Sequence, residues 1–232
     1  MAMDRKPLSL VHLARPSSRR DTAPGLLVLL HGNGADEHFL FDRVQHFDPR
    51  LIIVSPRGPV AVAPGRYAWL RVTTTAPLHY LYDPQEAQAA FVTVLGFLHE
   101  AATTYHVDPT RVYLMGHSQG AIFGGAVGIT HPEAVAGMVL LGAGIEEDAL
   151  ALAAPPERLA HLACFLGHGT DDPVIPIRHI REIRRRLSAL VPALTYREYP
   201  MRHDISAACL TDVSTWLTAQ LDAPAGAPRP VR

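Results

Sequence analysis

The chain has 232 residues, 48% of them hydrophobic and 19% charged, a globular composition that allows a sizeable buried core. A formal net charge of -1 gives no electrostatic reason to expect nucleic acid or an anionic membrane as partner. No apolar run approaches the roughly eighteen residues of a membrane span, and the start "MAMDRKPLSLVHLARPSSRRD" has no apolar signal region, so stable membrane insertion and export are not expected.

In chain order, "LSLVHLA" (8–14), "LLVLL" (26–30), "LIIVS" (51–55), "RVYLM" (111–115), "AGMVLLG" (136–142), "ACFLG" (163–167) and "LTYREYP" (194–200) read as strands. Several are apolar throughout, the pattern of strands covered on both faces. Between them run helical patterns, so the expected fold class is α/β, a mostly parallel sheet flanked by helices. The clearest helix is expected from Pro84 to about Tyr105, with Asp83 as N-cap, Pro84 at the first helical position and Glu86 placed for a capping box. A second, "PIRHIREIRRRLSAL", sets Ile177, Ile180, Ile183 and Leu187 on one face and leaves most of its arginines to solvent. The aromatic stretch "GRYAWLRVTTTAPLHYLYD" lacks a helical period and reads as a loop. Residues 1–222 are expected to form one domain, and 223–232, rich in proline and small residues, a flexible tail. Cys164 and Cys209 are too few for a disulfide framework, which favours a cytoplasmic setting.

Chemistry concentrates where strands end. Gly116-His117-Ser118-Gln119-Gly120 fits G-x-S-x-G, a strained strand-to-helix turn that lifts a serine oxygen above a sheet. Its glycines stand where side chains would collide with neighbouring backbone. A serine hydroxyl needs a base to take its proton and a carboxylate to orient that base. Asp171 and Asp172 follow the strand around Phe165, and His203 follows the strand ending near Tyr199, giving the order Ser, Asp, His. The backbone N–H of Gln119 supplies one donor for an oxyanion. The turn His31-Gly32-Asn33-Gly34, after an early apolar strand, supplies the second through Asn33. His31, His117 and His168 invite a metal reading, but no H-E-x-x-H or closely spaced Cys/His set accompanies them, so no metal or cofactor is expected. His31 and His168 each precede a glycine at a strand end, where an imidazole can brace a loop.

These stretches together resemble the phospholipase/carboxylesterase family of α/β-hydrolases, small serine esterases that include acyl-protein thioesterases. The motifs that carry the resemblance are "LLHGNGAD", "SPRGP", "VDPTRVYLMGHSQGA", "HPEAVAG", "GHGTDDPVIP" and the histidine of "MRHDIS". The resemblance implies Ser118 as nucleophile, His203 as base, and Asn33 with Gln119 as oxyanion hole. Through the family's H-G-x-x-D-P spacing from His168, it implies Asp172 rather than Asp171 as the acid. Relatives often have phenylalanine in place of His117 and glycine in place of Arg202, and neither departure removes a catalytic group. Tyr67, Trp69 and Ile175 are the expected lining of an acyl pocket, with plain packing the alternative for Trp69. The expected substrate is a small-molecule ester or thioester. The competing class is a ligand-binding protein on the same fold, with weak or no turnover.

Overall fold

The computed structural model describes residues 8–19, 24–76 and 79–223. All seven expected strands lie in one sheet: β1 (His12–Arg15), β2 (Gly25–Leu30), β3 (Leu51–Pro56), β8 (Val112–His117), β9 (Gly137–Leu141), β10 (Ala163–Gly169) and β11 (Ala193–Tyr199). The intervening numbers belong to two hairpins, β4 (Val60–Ala63) with β5 (Arg66–Ala68), and β6 (Thr73–Ala76) with β7 (His79–Leu81). The spatial order is β1-β3-β2-β8-β9-β10-β11, and only β1 runs antiparallel to its neighbour. That edge strand is shorter than the expected 8–14, because pairing is confined to His12–Arg15 against Ile53–Pro56. The aromatic stretch expected as a loop contributes β5 and both strands of the second hairpin, with Gly65 at φ +67° turning β4 into β5.

Every residue of β2, β3, β8, β9 and β10 is buried, as the uninterrupted apolar runs require. Successive side chains of β2 go to opposite layers. Leu26, Val28 and Leu30 join the core beneath α2 (Pro84–Tyr105), α3 (Gln119–Thr130) and α6 (Ile177–Leu190). Leu27 and Leu29 join the core beneath α1 (His38–Phe41) and α7 (Ala207–Asp222). Two short helices, α4 (Glu147–Ala151) and α5 (Pro156–Leu159), lie between β9 and β10 in sequence. Asp83 caps α2 by accepting from the Gln85 N–H at 2.8 Å, while the Glu86 carboxylate lies 3.7 Å from Arg71 instead of closing a capping box. On α6 the buried residues are Ile180, Ile183 and Leu187, and Arg181, Arg185 and Arg186 pair with acidic residues at the surface. Among the described residues no helix is long and apolar enough to cross a membrane. Of the expected tail, residues 224–232 lie outside the described residues.

Strand order reverses direction between β2 and β8, the place where an open α/β sheet leaves a crevice at its carboxyl edge. The approach of α3 to that edge is set by two glycines. A Cβ at Gly120 would stand 2.1 Å from the Leu30 carbonyl oxygen, and one at Gly116 2.2 Å from that of Gly120. Both obstacles are backbone and cannot rotate away. Gly120→Ala is therefore expected to destabilise the fold by at least about 3 kcal/mol in urea unfolding. Gly96→Ala, in α2 with open space around it, is expected to stabilise by about 0.5–1 kcal/mol. Equal effects of the two substitutions would contradict this packing.

Candidate active site

Ser118 follows β8 and opens α3 at φ 53°, ψ −120°, a conformation that a non-glycine residue rarely holds. Hydrogen bonds on both sides fix it there: its N–H donates to the Leu141 carbonyl at 2.8 Å, and its own carbonyl accepts from Ala121 and Ile122. The side chain is thereby turned out of the sheet edge and partly exposed.

Asp172 and His203 arrive from the loops after β10 and β11. The Ser118 hydroxyl lies 2.9 Å from His203 Nε2, and His203 Nδ1 lies 2.7 Å from Asp172 Oδ2. With Nδ1–H donating to the carboxylate, Nε2 is left to accept the serine proton. Asp172 is buried, and its other oxygen accepts from the N–H groups of Val174 and Ile175 at 2.8 and 2.9 Å. Burial alone would raise this carboxyl, but the His203 bond and the two backbone bonds outweigh it and hold the pKa below the ordinary value. Asp171 is exposed, 3.2 Å from the Thr170 hydroxyl, so of the two aspartates Asp172 is the one joined to His203.

Burial favours the neutral form of three further histidines around this row, His168, His31 and His117. His168 is buried, donates Nε2–H to the Ile175 carbonyl at 2.8 Å, and stands 3.3 Å from Asp172 Oδ2; burial lowers its pKa. His31 donates Nδ1–H to the Gly32 carbonyl at 2.7 Å and accepts the Gly58 N–H at Nε2, 2.9 Å away; burial lowers it too. His117 is 5% exposed, wedged between the rings of Phe39 and His203 at 5.0 Å from each. Burial first, and the charge His203 can carry second, push its pKa down to about 3.

Of the proposed oxyanion donors, Gln119 N–H is the first amide of α3, in the turn whose amides have no partner within a helix. Asn33 is exposed on the loop after β2, next to Gly32, where a Cβ would stand 3.1 Å from Ser118 Cβ. Of the expected pocket residues, Ile175 is buried and committed through both backbone groups to Asp172 and His168. Tyr67 is half-buried under the Arg57 guanidinium at 4.5 Å. Trp69 is 1% exposed and lies within the core, and its indole N–H donates to the His31 carbonyl at 2.9 Å. Two ties escaped sequence reasoning. Arg57 Nε donates to the buried Glu37 carboxylate at 2.6 Å, and the Gln119 side chain bonds to Trp69 and Leu70. Both join residues twenty or more positions apart, a separation at which local patterns carry no signal. Arg202, where relatives often have glycine, is exposed beside His203.

Known proteins share this architecture. The chain is 25% identical over 168 residues to the putative hydrolase MhqD of Bacillus subtilis (strain 168), covering 72% of this chain and 80% of that protein. The Bacillus cereus carboxylesterase structure superposes with a TM-score of 0.74 at 22% identity, over 91% of this chain and 95% of that one. Acyl-protein thioesterase 2 of Zea mays superposes with a TM-score of 0.71 at 19% identity, over 91% and 99%. The Phospholipase/Carboxylesterase family profile matches residues 14–221, nearly the whole chain, and the protein belongs to that family of α/β-hydrolases.

Proposed function

We propose that the protein hydrolyses carboxylic esters, thioesters included, through a covalent acyl-Ser118 intermediate. The observation that carries this reading is the pair of hydrogen bonds made by His203, 2.9 Å to Ser118 and 2.7 Å to Asp172, with every member partly or wholly shielded from water. Membership of the family and the names of its structural relatives, a carboxylesterase and an acyl-protein thioesterase, support the substrate class.

In acylation, Ser118 Oγ attacks the carbonyl carbon while its proton passes to His203 Nε2. The carbonyl oxygen becomes an oxyanion and accepts the N–H groups of Asn33 and Gln119. Collapse breaks the bond to the leaving alcohol or thiol, which takes the proton from His203. Water then attacks the acyl-serine by the same route, regenerating the Ser118 hydroxyl and releasing the acid. Asp172 stays ionised throughout, fixing the His203 tautomer and stabilising the imidazolium. A binding protein on this fold would need none of these proton positions.

A fluorophosphonate probe should label Ser118, as peptide mapping would read, and Ser118→Ala should lower turnover of a p-nitrophenyl ester about 10⁴-fold or more. An adduct mapped to another residue, or none on folded protein, would sink the mechanism. Asp172→Asn should cost about 10³- to 10⁴-fold in kcat by leaving His203 in the wrong tautomer, and Asp171→Asn under about 10-fold. The reverse ranking in folded variants would transfer the acid role to Asp171.

The neutral ring behind His203 has a consequence for acid stability. His117 titrates near 3 when folded and near its ordinary value of 6.5 when unfolded. Between those values the unfolded chain binds the extra proton, so stability is present above about pH 6.5 and is lost as pH falls toward 3. The contribution is on the order of a few kcal/mol, since each unit of pKa difference is worth about 1.4 kcal/mol and relaxation reduces the total. His117→Phe should therefore flatten the fall in unfolding free energy between pH 6.5 and 4. An unchanged slope would mean that His117 accepts a proton without opening the fold.

A further inference from the structure

Gln119 is placed to do two things at once. Its backbone N–H is one of the two proposed oxyanion donors, and its side chain, 7% exposed with the residue as a whole, is committed elsewhere. The carboxamide oxygen accepts the Trp69 N–H at 2.8 Å and approaches the Leu70 N–H at 3.4 Å, while the amide nitrogen donates to the Leu70 carbonyl at 2.8 Å. A buried amide with both ends engaged on one short segment behaves as a rigid tie, because either end left unpaired would lose its water without gaining a partner.

The tie continues past Trp69. The indole N–H donates to the His31 carbonyl at 2.9 Å, and the His31 ring lies against the indole at 5.5 Å. His31 Nδ1–H in turn holds the Gly32 carbonyl at 2.7 Å, one residue before Asn33, the other proposed donor. On the far side of Asn33, the Gly34 N–H donates to the Tyr67 carbonyl at 2.8 Å and the Tyr67 N–H donates to the Ala35 carbonyl at 2.9 Å. The segment 67–70 thus holds the loop of one donor on both sides and the side chain of the other donor directly.

An oxyanion hole stabilises developing charge only if its donors already stand at the right separation, since reorganising them during the reaction would consume the gain. Here the donors come from different elements, the start of α3 and the loop after β2. We infer that the Gln119 carboxamide and the Trp69 indole form a clamp that sets the distance between the Asn33 and Gln119 N–H groups, making both side chains positioning residues for the tetrahedral transition state. The inference rests on the proposed acyl-serine mechanism and adds a role that neither side chain has in it.

The test is kinetic, on Trp69→Phe, which keeps an aromatic ring but removes the donor to His31, and on Gln119→Met, which keeps length but removes the tie. Each is measured on protein whose folding is verified by near-ultraviolet circular dichroism. A displacement of one donor should lower kcat about 10- to 100-fold with KM within about threefold. Binding of a trifluoromethyl ketone, whose serine adduct carries the oxyanion, should weaken in step with kcat/KM. A lowered melting temperature with kcat and ketone affinity unchanged would overturn the clamp and leave the ties purely structural. If Gln119→Met does not fold, Trp69→Phe decides alone. Wild-type turnover that survives Ser118→Ala would instead defeat the underlying mechanism, an outcome separable from failure of the clamp.

Discussion

The close seat of α3 on the sheet edge is the constraint from which the rest of this structure follows. With Gly120 against the Leu30 carbonyl and Gly116 against the Gly120 carbonyl, the helix starts immediately at the end of β8, and the backbone must reverse within one residue. That residue is Ser118, held at φ 53° at a cost of about 1–3 kcal/mol, which the surrounding hydrogen bonds and packed core offset. The same seat brings the first amide of α3 beside the loop after β2, because Leu30 is the last residue of that strand. One packing contact thus places the Ser118 hydroxyl and the first α3 amide beside the loop after β2.

Electrostatics then separates one histidine from its neighbours. His31, His117 and His168 all lie within the same few strand ends, and burial drives each toward the neutral form. His203 alone of these is partly open to solvent and bonded to both Ser118 and an ionised carboxylate. The proposed base, a ring that gains and loses a proton in each cycle, is served by that environment. Asp172 remains ionised despite its burial because three donors converge on its two oxygens.

Much of this was legible in the sequence, for local reasons. The five central strands of the main sheet appear as apolar runs because each is covered on both faces, and α2 announces itself through Asp83 and Pro84. The elbow is legible because its strain demands glycines at fixed offsets. The hairpins were not, since strands of three and four residues are too short to show an alternation, although Pro64-Gly65 marks the first turn. Trp69 illustrates the harder limit. An aromatic residue near a site can line a pocket or fill the core, and its hydrogen bonds with Gln119 and His31, 50 and 38 positions away, leave no trace in the local sequence. The choice between Asp171 and Asp172 was legible only through the family's H-G-x-x-D-P spacing, which implies Asp172, the aspartate that lies 2.7 Å from His203 Nδ1.

The most direct test of the covalent mechanism is an acid quench during turnover of a slowly deacylating substrate such as a p-nitrophenyl dimethylcarbamate, read by intact mass and peptide mapping. The account predicts one carbamoyl group per chain, on the peptide containing Ser118, and none in Ser118→Ala. Release of p-nitrophenol at the wild-type rate by Ser118→Ala, or a carbamoyl group mapped to any other residue, would contradict it.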